Sequence, residues 1–329
     1  MADAPGTPAA ALRVGVLGAT SLVGGALLPL LCKAGAQVTA FSRAAESARI
    51  ASGSVRIASG SVQIAFGSEP AAVTWRQLGA GQGGDGRGLP HLPRESSPAA
   101  AIENWVCLAP VWVLPDWFDL LHAHGVERIV VLSSTSVFAK RDSADPQEQA
   151  TAGRLAQAEQ QVRDWAHARG VHWVILRPTL IYGGGQDKNI SEIARFIRRF
   201  GFFPVFGNAR GQRQPIHAAD VASACMAALQ RREAANQAYN ISGGESLAYS
   251  AMVARVFDAL SRRPRLLKVP LWAFRLALAV LRRLPRYKLW SAAMAERMSR
   301  DLVFDHADAA RDLGFKPRPF LLASDDLPA

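Results

Sequence analysis

The apolar residues near the start of the chain lie in short runs that alternate with a helix-like segment. The run 12–17 has the length of a strand, and Gly18 follows it with several small residues. A helix-like segment from 22 to 33 leads to a second apolar run at 37–41. Continuous apolar runs of strand length, separated by helices, are typical of a parallel sheet that is covered on both faces. This part of the chain predicts a strand–helix–strand unit.

Later apolar runs continue the alternation. Runs of strand length recur at 105–110, 127–132 and 171–176, and a helix is predicted at 117–124. One more strand is predicted near Tyr239. Strands that alternate with helices in this way predict an α/β protein with a doubly wound parallel sheet, the Rossmann architecture.

The same pattern sets the expected domain boundaries. We expect a frayed, Ala/Pro-rich N-terminus at 1–11 and a Rossmann domain at 12–180. The rest, 181–329, predicts a smaller C-terminal substrate lobe that returns one strand, near 239–242, to the sheet. A short direct repeat (Ile-Ala-Ser-Gly-Ser-Val, twice) predicts short strands or a loop extension, and the Gly/Pro-rich stretch 79–98 predicts a mobile surface insertion. Together they predict mobile insertions at about 50–98.

A glycine-containing turn joins the first strand to the first helix. Gly18 allows a tight turn, Gly24 allows close packing, and Ser21 stands where a dinucleotide fingerprint has its second glycine. The unpaired N–H groups at a helix N-terminus favour phosphate. We therefore predict a dinucleotide-binding turn, the alternative being an ordinary strand–helix turn. The candidate residues are Gly18, Thr20, Ser21, Leu22, Val23 and Gly24.

The ends of the other strands carry further candidates. A parallel sheet binds its ligand beside the carboxyl ends of its strands, where the strand order reverses. Hydroxyl side chains follow the strand that ends at Leu132, although Ser and Thr also cap helices. The further cofactor candidates are Ser42, Ala109, Pro110, Ser133, Pro178 and Thr179.

The second strand ends in Ser42-Arg43, which bears on the choice of cofactor. A carboxylate at this place binds the ribose hydroxyls of NAD, whereas an arginine accommodates the additional phosphate of NADP. Because Arg43 is present and an acid is not, we predict NADP(H) in preference to NAD(H). The alternative is a solvated arginine on a loop.

Charge and cysteine usage restrict the function classes. The net charge of +11 comes mostly from 255–300, where twelve basic and two acidic residues leave +10. No groove-reading motif accompanies this charge, so nucleic acid is not an expected partner. Cys32, Cys107 and Cys225 match no metal spacing and predict reduced thiols. Since no stretch reaches about 20 uncharged apolar residues, we expect a cytoplasmic protein without a metal site or a spanning helix.

Five motifs stand in the order that one enzyme family shows. They are the turn at 18–24 and the segments 132–138, 176–183, 214–222 and 239–245. In this order they resemble the extended short-chain dehydrogenase/reductases, the NAD-dependent epimerase/dehydratase group. The resemblance runs from about Leu12 to Leu260. It implies a nicotinamide cofactor on the Rossmann domain and a small or sugar-like substrate in the C-terminal lobe, in contact with Tyr182.

The chain departs from this family at the catalytic triad. The family uses a Ser or Thr, here Ser134, together with a Tyr-x-x-x-Lys pair whose slots fall at Ala152 and Ala156. No Tyr or Lys occurs between Arg141 and Ile181, so no other register restores the pair. In the family, Tyr is the acid/base and Lys lowers its pKa. The chain therefore resembles the atypical members that keep the nucleotide site without the triad, such as the accessory subunit of respiratory complex I.

Four other residues are candidates for substrate contact or catalysis. Arg154 and Glu159 share one predicted helix, the alternative being an exposed helix pair. By the resemblance, His217 faces the substrate cleft and Arg213 clamps a substrate phosphate. The alternatives are a core histidine with satisfied hydrogen bonds and a solvated loop arginine. Two functions stay open: an NAD(P)-dependent oxidoreductase or epimerase-like enzyme with a non-standard site, and a nucleotide-binding structural or sensor protein without turnover.

The segment 266–290 combines a broad apolar face with a basic stripe. At about 100° per residue, Arg275, Arg282 and Arg283 share one side, and Phe274 lies with several leucines on the other. This combination is typical of a helix in a membrane interface, so we predict contact with an anionic membrane surface without a spanning helix. A helix packed over the substrate cleft and a helix that binds an acidic partner are the alternatives.

Overall fold

The computed structural model describes residues 12–42, 55–58, 61–66, 69–77, 101–270 and 297–328. The strands are β1 Arg13–Leu17, β2 Gln37–Ser42, β3 Val55–Ala58, β4 Ser61–Phe66, β5 Glu69–Gln77, β6 Asn104–Cys107, β7 Arg128–Leu132, β8 His172–Pro178, β9 Ile181–Tyr182, β10 Phe203–Phe206, β11 Gln212–Arg213, β12 Ile216–His217, β13 Gln237–Ile241, β14 Leu247–Ala248 and β15 Leu266–Val269. The helices are α1 Leu22–Lys33, α2 Phe118–Ala123, α3 Ser136–Ala139, α4 Pro146–Arg169, α5 Ile190–Phe200, α6 Ala218–Gln230, α7 Tyr249–Ala259 and α8 Ala307–Leu313, with short 3-10 helices at Val111–Trp117, Arg232–Ala234 and Ser324–Asp326.

A nine-stranded sheet forms the centre of the molecule. Its strand order is β13-β8-β7-β6-β1-β2-β5-β4-β3, and the seven strands from β13 to β5 run parallel. The chain builds outward from β1 through β2 to β5, and then returns to place β6 on the other side of β1. Strand order therefore reverses at β1 and β6. The predicted doubly wound α/β fold is confirmed.

The two faces of the sheet pack against separate helical layers. Val14 and Val16 of β1 point into a core shared with α1 and α6. Leu17 and Trp105 point the opposite way, into a core shared with α4 and the 3-10 helix that contains Leu114. Alternate side chains of a strand face opposite sides, so a strand buried on both faces needs an uninterrupted apolar run. This requirement explains the runs that the sequence shows.

The predicted insertion at about 50–98 needs a correction. Residues 69–77 form β5, which pairs in parallel with β2 and carries the fully buried Val73. β3 and β4 extend the sheet beyond β5 as antiparallel strands. The last parallel strand β5, the antiparallel strand β4 and the edge strand β3 therefore lie within the stretch for which the sequence predicts mobile insertions. Residues 78–100 and 1–11 lie outside the described residues.

The C-terminal part of the chain contributes to both halves of the molecule. α5, α7 and the small strand pairs β9–β12, β10–β15 and β11–β14 build a lobe around a core of its own. In contrast, α6, α8 and β13 pack into the Rossmann half, with β13 as the edge strand beside β8. β13 includes the strand that the sequence places in the sheet near 239–242, and α6 and α8 also pack into the Rossmann half although they follow residue 180.

The basic segment at 266–290 is described only at its beginning. Residues 266–269 form β15, and residues 271–296 lie outside the described residues. The helix predicted there remains a prediction. Among the residues that the structure does describe, no helix combines the length and apolarity that crossing a bilayer requires.

Candidate functional site

The turn after β1 has room for glycine alone at two positions. Gly18 has a φ of +77°, and a Cβ there would lie 2.6 Å from the backbone nitrogen of Ala109. A Cβ on Gly24 would overlap the carbonyl oxygen of Ala19. The first glycine therefore brings β1 close to the end of β6, and the second brings α1 onto the turn.

Ser21 begins α1 and closes part of its N-terminus. Its hydroxyl oxygen accepts a hydrogen bond from the Gly24 amide at 3.1 Å, and its carbonyl accepts from the Gly25 amide at 2.9 Å. The amides of Leu22 and Val23 lie in the first turn of α1, where backbone N–H groups have no acceptor inside the helix. The first turn carries no acidic side chain. Two amide donors and the positive end of the helix dipole are thus available to a phosphate group.

This helix N-terminus lies where the sheet offers a crevice. The Leu108 amide donates to the Leu17 carbonyl at 2.8 Å, which holds the ends of β1 and β6 side by side. Ala109 is half-buried and the exposed Pro110 caps the next 3-10 helix. Since α1 and that 3-10 helix pack on opposite faces, the crevice opens between them. The residues present fit a dinucleotide whose pyrophosphate lies against the glycine turn.

Thr20 and Ser42 lie where different parts of a bound dinucleotide would be. Thr20 is exposed beside the helix N-terminus. Ser42 is the half-buried last residue of β2, where the ribose of a dinucleotide would lie. Arg43 lies outside the described residues, so its preference for NADP stays a prediction.

Ser133 belongs to a buried charged network behind the ends of β7 and β8. Its hydroxyl donates to the Glu159 carboxylate at 2.6 Å. Arg177 of β8 donates to both oxygens of the same carboxylate, through Nε at 3.0 and 3.2 Å. The Glu159 side chain is 2% exposed and Arg177 lies over the ring of Phe138. The network anchors α4 to the sheet, and both oxygens of Glu159 accept hydrogen bonds within it.

The neighbouring hydroxyls differ in how they are used. Thr135 donates to the Pro178 carbonyl at 3.1 Å, and Thr179 donates to the Gln214 carbonyl. These bonds tie the ends of β7, β8 and the following loop together. The Ser134 oxygen accepts a bond from the Ser136 amide at 3.1 Å. Among the hydrogen bonds of the described residues Ser134 donates none, so its proton is available to a ligand.

The helix that carries acid/base groups in the resembled family has none of them here. On α4, Ala152 and Leu155 are buried against the sheet, and Ala156 is exposed. The exposed Arg154 places its guanidinium 4.8 Å from the centre of the Trp112 ring. Arg154 therefore stacks on Trp112. At the positions of the family's Tyr–Lys pair, α4 has no proton donor.

His217 caps a helix and is fully hydrogen-bonded. Its Nδ1 accepts from the Ala219 amide at 3.1 Å, which leaves the proton on Nε2. Nε2 lies 2.9 Å from a carboxylate oxygen of Asp326, and the ring meets Tyr182 edge-on. This arrangement matches the alternative of a satisfied core histidine.

The two predicted substrate residues are committed to the protein itself. Tyr182 is fully buried, its hydroxyl donates to the Leu321 carbonyl at 3.1 Å, and burial raises its pKa to about 12. Arg213 is 5% exposed and donates to the carbonyls of Gln212 and Arg300 at 2.8 Å. Burial lowers the pKa of Arg213. The solvated-loop alternative for Arg213 is therefore wrong, since carbonyl groups surround the guanidinium.

Two residues of this region were absent from the sequence-based candidates. Arg177 escaped notice because it ends a buried strand, although an arginine in an otherwise apolar run is itself a signal. Asp326 gave no signal, since it lies 109 residues from His217 in the chain. No group of metal-ligating side chains occurs within the described ranges.

Comparison with known proteins agrees with this geometry. The family model described as NAD dependent epimerase/dehydratase family matches residues 116–242. The matched range holds α4, β7, β8 and β13, and it begins after the glycine turn at 18–24 and β6. Over this range the chain is similar to the NAD dependent epimerase/dehydratase family.

The chain is also similar to two curated proteins. UDP-glucose 4-epimerase of Vibrio cholerae is 24% identical over 204 residues, which cover 59% of this chain and 59% of that protein. The mitochondrial NADH dehydrogenase (ubiquinone) 1 alpha subcomplex subunit 9 of Arabidopsis thaliana is 27% identical over 97 residues, 29% of this chain and 24% of that protein. The chain thus spans less than two thirds of the length of either relative.

Solved structures share the fold of this chain along nearly its whole length. MoeE5 in complex with UDP-glucose and NAD superposes with a TM-score of 0.61 at 20% identity, and 94% of each chain is covered. At this level of identity the superposition shows a common fold.

Proposed function

We propose that the chain binds a nicotinamide dinucleotide and acts as an oxidoreductase or epimerase-like enzyme on a small or sugar-like substrate. The observation that carries the proposal is the glycine turn at the β1/β6 crevice. Gly18 and Gly24 leave no space for side chains, and the amides of Leu22 and Val23 face the phosphate position. A bound nicotinamide would supply hydride transfer. Our proposal for this chain's residues is that they hold the pyrophosphate and orient the ring.

The cofactor choice in this proposal is NADP(H). Arg43 follows the end of β2, where an arginine pairs with the 2′-phosphate. Titration of the chain with NADPH and NADH measures the preference, and Arg43→Ala is expected to reduce it. A tenfold preference of the unchanged chain for NADH, about 1.4 kcal/mol, would overturn the choice.

Turnover is expected to be slow. A positioned acid/base group contributes about 10²–10⁴-fold, and α4 offers neither Tyr nor Lys. Ser134 is the triad residue that the chain keeps, and among the described hydrogen bonds its hydroxyl donates none. The missing pair favours a second candidate function, a nucleotide-binding protein without turnover that acts structurally or as a sensor.

The substrate class rests on the relatives. One is a UDP-glucose 4-epimerase, and MoeE5 was solved with UDP-glucose. Nucleotide sugars are therefore the first substrates for a screen that follows nicotinamide absorbance. Activity that survives Ser134→Ala would remove the catalytic assignment of Ser134. Cofactor binding without turnover on any nucleotide sugar would favour the second candidate.

The binding site has a test that does not depend on turnover. Thr20→Asp places a negative charge beside the helix N-terminus, and we expect at least a tenfold loss of NAD(P)H affinity in calorimetry. Thr20→Ser is the matched control, because Thr20 is exposed and the hydroxyl is kept. If Thr20→Asp and Thr20→Ser bound NAD(P)H with equal affinity, the pyrophosphate would not lie at this helix N-terminus.

The cellular location of the protein is proposed from its sequence. Three free cysteines favour the cytoplasm, and Cys107 is inert since burial raises its pKa to about 12. Peripheral contact through 266–290 stays a prediction, since 271–290 lies outside the described residues.

A further inference from the structure

The end of α5 exposes a group of aromatic rings. Phe200 is 50% exposed, and its ring centre lies 4.6 Å from that of Phe196. Phe202 follows the helix end and contacts Phe196 edge-on at 5.8 Å. The rings support one another, so Phe200 is held out from the surface.

β15 continues this surface. It pairs with β10, which starts at Phe203, and the Phe203 amide donates to the Arg265 carbonyl at 2.9 Å. Arg262 donates to the Ile197 carbonyl of α5 at 2.8 Å. Leu267 points away from the core and is 53% exposed. The helix end and the strand therefore form one rigid face.

The same face is strongly basic. Residues 195–206 hold three arginines and 259–270 hold three arginines and one lysine, while neither stretch has an Asp or Glu, a net of +7. Some of this charge is engaged, since Arg195 pairs with Glu192. Arg199, Arg265 and Lys268 are exposed and make no ion pair with a described carboxylate.

We propose that this face docks the protein on an anionic phospholipid bilayer. The aromatic–basic face consists of Phe200, Phe202 and Leu267 with Arg199 and Arg265. The apolar side chains enter the boundary between headgroups and acyl chains, and the cations meet lipid phosphates around them. Charge complementarity selects an anionic surface, and protruding apolar side chains select a bilayer over a soluble polyanion. The proposal goes beyond nucleotide binding and does not depend on it.

Vesicle sedimentation of the full chain tests the proposal. We expect binding to phosphatidylcholine vesicles that contain phosphatidylglycerol as about a quarter of the lipid, weak binding to pure phosphatidylcholine, and a decrease with salt. The pair Phe200→Asp with Leu267→Asp is expected to reduce binding at least tenfold. Leu321→Asp is the matched control, since Leu321 is a 66% exposed leucine of another segment. Cofactor affinity, measured in parallel, should be equal in all three proteins and shows that they are folded.

Three results would overturn the proposal. Equal binding to neutral and anionic vesicles would remove the charge argument. If Phe200→Asp with Leu267→Asp bound vesicles as well as the unchanged protein, the membrane contact would lie elsewhere. If Arg282→Glu with Arg283→Glu then lost vesicle binding, the contact would belong to the segment at 271–290. Binding to single-stranded RNA in preference to anionic vesicles would identify a different polyanion.

Discussion

The carboxylate of Asp326 lies 2.9 Å from Nε2 of His217, which joins the last helical turn of the described chain to the N-terminus of α6. Burial raises the pKa of Asp326, but hydrogen bonds from His217 and from the Ala323 and Gly184 amides outweigh it, so the pKa lies below its usual value. The ionised form is therefore the one that the fold stabilises. Its partners fasten the C-terminal segment over the glycine loop that follows Tyr182.

Asp326→Ala should lower the free energy of unfolding by about 1–3 kcal/mol, because it strands buried donors. The pKa of this carboxyl is lower in the folded state than in the unfolded chain, so its contribution is present above the usual value of 3.8 and is lost as the pH falls through the folded pKa. Urea unfolding of the variant and the unchanged protein should therefore converge below that pH. A constant difference across the acid range would contradict the role of ionisation.

Arg177→Met should destabilise the protein by about 1–3 kcal/mol, because it removes the guanidinium that donates to both Glu159 oxygens and leaves Arg163, at 3.5 Å, as the remaining cation. The double variant Arg177→Met with Glu159→Leu should recover much of that loss in urea unfolding. As a control, Arg195→Met breaks the exposed pair with Glu192 and should cost less than about 1 kcal/mol. A double variant that is no more stable than Arg177→Met would show that the charges are not coupled.

His124→Phe should protect the protein from acid. His124 is 4% exposed, its ring centre lies 5.6 Å from that of Trp105, and neither ring nitrogen has a partner among the described residues. Burial, assisted by the charge of Arg76, lowers the His124 pKa from 6.5. The unfolded chain therefore binds more protons as the pH falls through 6.5, and the unchanged protein loses stability there.

In the His124→Phe variant that loss should disappear, and the stability above pH 6.5 should stay equal or increase. His122→Phe is the control, since His122 is exposed near the same helix end. Identical pH profiles of the two variants would refute the assignment to His124.

Gly25→Ala and Gly24→Ala should have opposite effects on stability, although the two glycines are adjacent on α1. A Cβ on Gly25 meets nothing within 4 Å, so alanine should stabilise the helix by about 0.5–1 kcal/mol and leave cofactor affinity unchanged. A Cβ on Gly24 overlaps the Ala19 carbonyl, so alanine should lower the melting temperature and weaken NAD(P)H binding. Equal melting temperatures and affinities would mean that α1 does not lie so close to the turn.

The local features of the nucleotide half could be predicted from the sequence. The buried runs of β1, β6 and β8 and the turn from Gly18 to Gly24 are visible because strand and helix periodicity depend on neighbouring residues. The absence of a Tyr–Lys pair is likewise a property of the printed chain. The strand β5 is not apparent from the sequence because a repeat and a Gly/Pro-rich stretch surround it and most of its nine residues are polar or small.

The partners of the polar side chains were decided by tertiary structure alone. Glu159 meets Ser133 and Arg177, and His217 meets Asp326, through the packing of segments that are far apart in the chain. The sequence by itself determined that α1 begins at a glycine-containing turn and that α4 carries no Tyr–Lys pair. The fold decided which polar groups are already hydrogen-bonded, because the partner of a buried group depends on which distant segment comes within about 3 Å of it.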